Sequence, residues 1–192
     1  MLHNVVVEYN SLEEINKRIA VRYKENLRKA LRKRSLKIKE IEQEEHKRFA
    51  NELPKLDNTS LFWLGLGLYW AEGAKTERWR AVFYNSDPAI NRIMMRFFRE
   101  ICHIADTDMR IQLVLHRNIN EEKARLFWTK ELSLPVDNFF RASYVLSRAS
   151  QKKRRPTTLP YGTVQISVRG KAIANKIRGW MLGMRRQAEM RV

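Results

Sequence analysis

The chain has 192 residues, with 38 Lys and Arg against 21 Asp and Glu, a net charge of +17 and 44% hydrophobic residues, a balance that suits one globular core and a polyanionic partner. Its single cysteine, Cys102, excludes an internal disulfide and any multi-cysteine zinc site, and its four scattered histidines supply no finger spacing. The longest apolar run, Leu61 to Ala71, is too short to span a bilayer, and the opening Met1-Leu2-His3-Asn4 lacks the charged and apolar regions of a signal peptide, so a cytoplasmic protein with no membrane partner is expected.

The positive charge is unevenly placed. Residues 17–39 hold eleven cations against Glu25 alone, and residues 141–192 hold thirteen against Glu189 alone, whereas 1–16 and 40–57 each carry −3. A concentrated block that neutralises successive phosphates releases their condensed counterions, so it binds a polyanion better than the same charge spread evenly. Double-stranded DNA is the expected partner. RNA is the lesser expectation, because the aromatic residues fall on helical stripes and form no stacking platform.

In chain order, Ser11 followed three residues later by Glu14 is a capping-box pattern, and no Gly or Pro then appears before Pro54, so one long helix or two abutting helices should fill about 12–52. Ile15, Ile19, Tyr23, Leu27 and Leu31 lie four apart and make a narrow stripe that drifts round the helix and requires a partner surface. The other faces carry Lys17, Arg18, Arg22, Lys24, Arg28, Lys29, Arg32, Lys33 and Arg34. A solvated helix face alternates sign and this one does not, which predicts phosphate contact, with Arg22, Arg28, Lys29, Arg32 and Lys33 foremost.

Pro54 to Ser60 reads as a hinge, dividing a basic helical extension (1–57) from a compact domain (58–192). The domain opens with a helix over Leu61–Gly73, with Gly73 at the C-terminal position where a left-handed residue is wanted. Trp79–Asn85 reads as a strand. Asp87 and Pro88 then start a helix with Ile90, Ile93, Met94, Phe97, Phe98 and Ile101 toward the core, and with Arg92, Arg96 and Arg99 on a solvated face. Met109–His116 is a strand, and Asn120 caps a short helix containing Ala124, Phe127, Trp128 and Leu132 that ends by Pro135. Phe139–Ser147 and Thr163–Arg169 read as a hairpin whose cationic tip is Lys152, Lys153, Arg154 and Arg155. A last helix runs from Lys171 to about Met184, with Ile173, Ile177, Trp180 and Met184 on one stripe. The sum is an α+β domain with about four strands, read as an antiparallel sheet packed by helices.

Two segments carry candidate chemistry. In Thr163–Arg169, Val164, Ile166 and Val168 point one way and Thr163, Gln165, Ser167 and Arg169 the other, so one face packs on helices and the other is expected to be wet. Gln and Arg make bidentate contacts to base edges and a two-stranded ribbon fits the major groove, so Gln165 and Arg169, with Arg141 and the cationic tip, are candidate DNA contacts. An ordinary half-buried strand shows the same alternation, and only the neighbouring cations favour DNA. The helix at Leu61–Gly73 is apolar apart from Glu72 in its final turn, where the helix dipole disfavours an anion. Gly67 and Ala71, four apart, form a face that another helix can approach closely.

Gly65–Gly73 resembles the motif helix of the LAGLIDADG homing endonucleases: Gly67, Leu68, Ala71, Glu72 and Gly73 match, while Gly65, Leu66, Tyr69 and Trp70 depart from it. The likeness extends over roughly 59–184, where Asn85-Ser86-Asp87-Pro88, Phe127-Trp128-Thr129-Lys130, Tyr161-Gly162-Thr163 and Lys176-Ile177-Arg178-Gly179-Trp180 look like the small single-motif LAGLIDADG-like proteins of prokaryotes. Those proteins often carry an N-terminal helix-turn-helix. Residues 1–57 show no tight turn between short helices, so that module is expected to be shortened or lost. The resemblance implies a LAGLIDADG-like fold, a homodimer through Gly67 and Ala71, and a Glu72 carboxylate that binds Mg²⁺ with Lys75 assisting electrostatically. Two functions stay open on it: a metal-dependent DNA endonuclease, and a DNA-binding or transcription-regulatory protein that does not cut and needs no cofactor.

Overall fold

The computed structural model describes residues 9–145 and 159–190. The chain divides into two units, Met1–Lys55 and Leu56–Val192.

Among its described residues the first unit holds one helix, α1 (Tyr9–Glu52), of 44 residues and so roughly 66 Å long. It is already helical at Tyr9, so Ser11 lies inside it and does not cap it. The absence of Gly and Pro lets the helix continue, and Leu53 and Pro54 end it. Every side chain from Leu12 to Glu52 is exposed. The apolar stripe therefore has no partner among the described residues.

The second unit starts where Asp57 caps α2 (Asn58–Glu72), its Oδ1 accepting from the Ser60 amide at 2.7 Å. It continues through β1 (Arg80–Asn85), α3 (Pro88–Arg96), a π-turn (Phe97–Ile101), β2 (Met109–Leu115), α4 (Glu121–Leu132), β3 (Ser143–Tyr144), β4 (Thr163–Arg169) and α5 (Lys171–Glu189). The expected caps are in place: Asp87 Oδ1 accepts from the amides of Ala89 and Ile90, and Asn120 Oδ1 from that of Lys123. Gly73 differs from expectation. Its φ of −76° and ψ of 150° are extended, not left-handed. Crowding is what requires glycine there, because a Cβ would collide with the Tyr69 carbonyl and ring as the chain turns out of α2.

The sheet order is β1-β4-β2-β3. β4 runs antiparallel to both β1 and β2, whereas β3 pairs parallel with β2 through Val114–Ser143 and Leu115–Tyr144. The sheet is therefore mixed and not antiparallel throughout. β3 and β4 do not form a hairpin either, since β2 lies between β4 and β3. Side-chain bonds made far along the chain explain the change. The Asn138 amide donates to the carbonyls of Asp106 and Met109, and Arg125 to those of Phe139 and Phe140, laying residues 138–140 along β2. Of the expected strand over Phe139–Ser147, the described residues 139–145 hold an isolated bridge between Ile111 and Phe139 and the two residues of β3, and the last two residues lie outside the described ones. Lys152, Lys153, Arg154 and Arg155, the expected tip, lie outside the described residues.

One face of the sheet supplies Ala81, Phe83, Ile111, Leu113, Val164 and Ile166 to the core, each fully buried. Leu61 and Leu66 of α2, Met94 of α3, Phe97 and Phe98 of the π-turn, Trp128 of α4 and Ile177 of α5 complete it. Gly65 belongs to this packing, since a Cβ there would run into the Phe97 ring. Trp128 satisfies its indole by donating to the Tyr161 carbonyl at 2.9 Å.

Candidate nucleic-acid interface

The register places the second face of the sheet residue by residue. Arg80 stands opposite Arg169; Val82, Ser167 and Arg110 form the next row; Tyr84, Gln165 and Gln112 the next; Thr163 pairs with Val114 and Val114 with Ser143. Thr163, Gln165, Ser167 and Arg169 share this face as the alternation requires. The face is not wet throughout, however: Gln165 is 8% exposed and Ser167 7%. β4 is an interior strand, so its mid-strand side chains are flanked on both sides, and only Arg169 at its end is exposed. Gln165 is thus a constrained contact at most, and Arg169 an accessible one.

The register sets three arginines at one end of this face. Arg80 is opposite Arg169, and Arg110 is opposite Ser167, two residues before Arg169. Glu77 answers Arg80 through two contacts of 3.3 Å, and this carboxylate holds the Arg80 guanidinium above its usual pKa range. Arg110 donates to the Thr107 and Met109 carbonyls. Beside them Trp79 is 70% exposed, with the Lys171 ammonium 5.2 Å from its ring centroid. Sequence reasoning passed over Trp79, Arg80, Arg110 and Gln112 as site residues. Their signal is the strand alternation of β1 and β2, which becomes informative only once the register sets them beside β4.

Cations elsewhere fall into two classes. On α3 and its π-turn, Arg92 pairs with Glu131, Arg96 with Glu100 at 2.7 Å, and Arg99 with Asp106 at 2.7 Å while also donating to the Leu132 and Ser133 carbonyls. Those three are surface ion pairs, as the solvated-face expectation has it. On α1, Lys17 pairs with Glu13 at 3.1 Å, and no other cation of 17–39, including Arg22, Arg28, Lys29, Arg32 and Lys33, meets a carboxylate among the described residues. Arg141 is exposed, and its carbonyl accepts from the Gln112 amide at 3.4 Å.

At the end of α2, Glu72 is exposed and meets no cation within ion-pair distance among the described residues. Gly73 and Ala74 run beside β1, through the Gly73–Phe83 bridge and the Ala74 amide donating to the Val82 carbonyl, so the carboxylate stands at the β1 edge of the sheet. Lys75 is spent on the helix end, its Nζ donating to the Ala71 carbonyl at 3.3 Å. Leu61, Gly65, Leu66 and Tyr69 of α2 are buried, whereas Trp63, Leu64, Ala71 and Glu72 are exposed, and a Cβ on Gly67 would meet nothing within 4 Å. The helix is apolar on both faces and one face is open.

No protein-family model matches this chain, and comparison with curated proteins and with solved structures finds no match either.

Among the described residues no three His, Cys, Asp or Glu side chains gather to hold a metal ion. Mg²⁺ retains several waters and is commonly held by one or two carboxylates together with phosphate oxygens, so Glu72 of one chain would need a further oxygen donor, a second copy's carboxylate or a phosphate, to hold it. Cys102 offers no reactive thiolate, because burial pushes its thiol up to about 12. A separate cleft lies between Asp87, Pro88, Phe127 and Tyr161, where the two rings stack at 3.8 Å. The Asp87 Oδ1 facing the α3 amides is committed to capping. Among the described residues no helix is long and apolar enough to cross a membrane.

Proposed function

We propose that this chain is a double-stranded-DNA-binding protein of the LAGLIDADG-like kind, acting as a homodimer through the open face of α2. The observation that carries the DNA reading is the contrast in pairing: the arginines of α3 and its π-turn each hold a carboxylate, while the cations of 17–39 after Lys17 hold none among the described residues. Adjacent cations on a rigid helix repel one another, and a phosphate backbone removes that repulsion while releasing counterions. Arg110 and Arg169 at the end of the sheet, which meet no carboxylate among the described residues, add two cations that a phosphate or a guanine edge would satisfy, while Arg80 beside them is held by Glu77. Binding to a fluorescent duplex at several salt concentrations tests this. A steep linear fall of log affinity with log salt, with duplex DNA preferred over duplex RNA, supports it; affinity that does not respond to salt overturns it.

A second, cutting function is favoured by one observation, the exposed Glu72 carboxylate at the end of an open small-residue face. Two copies meeting through Gly67 and Ala71 would bring two such carboxylates close. Two close carboxylates repel unless a cation lies between them. Bound Mg²⁺ would supply charge stabilisation at a scissile phosphate, and Glu72 would hold it. Glu72→Gln keeps size and removes charge, so Mg²⁺- or Mn²⁺-dependent cleavage of plasmid and genomic fragments should vanish while metal-free DNA affinity is equal or higher. Parent protein that cuts no substrate in such a screen leaves the non-cutting, regulatory function.

A further inference from the structure

The open stripe of α1 contains more order than its four-residue steps suggest. It runs through Leu12, Ile15, Ile19, Tyr23, Leu27 and Leu31, past Arg34, to Ile38 and Ile41, and these apolar members are between 46% and 68% exposed. From Leu12 to Ile41 the chain advances 29 residues in eight steps, about 3.6 per step and so the period of the helix itself. The drift from 15 to 31 is offset by the three-residue steps at 31–34 and 38–41, and the stripe keeps to one side of a straight helix.

Part of the apolar pattern is symmetric about Arg34, although Leu31 and Tyr23 lie level with Lys37 and Glu45. Ala30 and Ile38 lie four residues either side of it, Leu27 and Ile41 seven, and Ile19 and Phe49 fifteen. Charge is partly complementary about the same point: Arg28 and Glu40 lie six residues either side of it and Lys24 and Glu44 ten, while Lys29 is level with Lys39. An arrangement that superposes such a helix on its own reverse brings these apolar pairs and both opposite-charge pairs level at once.

We propose that α1 packs antiparallel against the α1 of a second copy of this chain, with the two-fold axis at Arg34. Residue 34−n of one helix then lies level with 34+n of the other. That sets Leu27 against Ile41, Ile19 against Phe49, Lys24 against Glu44 and Arg28 against Glu40. A parallel, in-register pair would instead lay the eleven cations of 17–39 along the same eleven, which like-charge repulsion opposes. The two helices overlap over residues 16–52, so a contact strip roughly 55 Å long and about 10 Å wide covers on the order of 550 Å² per helix, about two thirds of the ~800 Å² per partner of a standard interface. The two Arg34 side chains meet at the axis and weaken the pair, in the way a polar core position fixes register at a cost in stability. This contact is distinct from the α2 contact and requires no DNA.

The test uses full-length protein in which Leu27→Cys and Ile41→Cys stand on separate chains. Cys102 is 6% exposed, so the introduced thiols are the ones that react. Mixed in a glutathione buffer, the two chains should give the 27–41 disulfide in at least about tenfold excess over 27–27 and 41–41 products, a preference worth roughly 1.4 kcal/mol. The same product should form when both chains also carry Gly67→Leu, which blocks the α2 face. Arg34→Leu should tighten association measured by sedimentation. Dominant self-products would mean parallel pairing and overturn the proposal. So would an absence of disulfide with helical content intact by circular dichroism, or a product that disappears with Gly67→Leu, since the helices would then meet only through α2.

Discussion

Arg92, Arg96 and Arg99 sit on a helix and π-turn packed into a core, and each has found a carboxylate, one of them 39 residues away. Arg28, Lys29, Arg32 and Lys33 sit on a helix whose every described side chain is exposed, and no ion pair to them exists among the described residues. A core fixes backbone positions, so acids distant in sequence can be brought to a given arginine at little entropic cost. A helix by itself offers only the neighbours three and four residues away, and there Arg32 and Lys33 have no acid while Arg28 and Lys29 share Glu25 alone. The arginine charge of α3 and its π-turn is balanced within the compact unit, while the cations of 17–39 after Lys17 meet no carboxylate among the described residues. Three expected outcomes bear on that difference.

The largest effect belongs to the core. Trp128→Ala removes a fully buried ring and its hydrogen bond to Tyr161, and should lower the stability of the compact unit by about 3–5 kcal/mol in denaturant unfolding followed by fluorescence of the remaining tryptophans. Leu27→Ala, at a 46% exposed position of α1, should leave that transition where it was. If both substitutions moved it alike, the two regions would share a core and the contrast would fail.

Next comes binding. Replacing Arg28, Lys29, Arg32 and Lys33 by Gln should flatten the slope of log affinity against log salt by up to about 0.9 for each phosphate no longer neutralised, and substituting Lys152, Lys153, Arg154 and Arg155 in the same way should act in the same direction. The matched triple Arg92, Arg96 and Arg99 to Gln should leave the slope unchanged, because those charges already have partners. Equal flattening by that triple would show that pairing does not withhold a cation from DNA.

The smallest effect is a pH dependence at the sheet edge. Glu121 accepts from the Tyr144 hydroxyl and from the Arg125 guanidinium, both at 2.7 Å, and these bonds hold its carboxyl below the usual carboxylate range. Its folded-state pKa being depressed, its contribution is present above the ordinary carboxylate value near ~4.3 and is lost as the pH falls through the lower folded value. The site is largely solvated, so the contribution is about a few tenths of a kcal/mol. Unfolding midpoints of parent and Glu121→Gln should therefore differ slightly at about pH 6–7 and converge toward about pH 3; a gap that widens in acid would put the stabilising proton on the wrong state.

Local pattern made much of this protein legible before any coordinates. Asp87 with Pro88 and Asn120 start helices because a cap bonds to amides two or three residues away, and the alternation of Thr163–Arg169 sorts β4 into two faces because a strand's period is two. The basic stretch of α1, the part of the candidate interface read most directly, was legible for the same reason: its charges have only local neighbours. Tertiary structure decided the rest. The position of β3 beside β2, the burial of Gln165 in an interior strand, and the gathering of Arg80, Arg110 and Arg169 depend on residues brought together from 29 to 89 positions apart. The demand for glycine at 73 follows likewise from how the chain turns out of α2 to meet β1. No periodicity encodes which strands become neighbours, because that choice is made by the whole core as it excludes water, and not by any one segment of the chain.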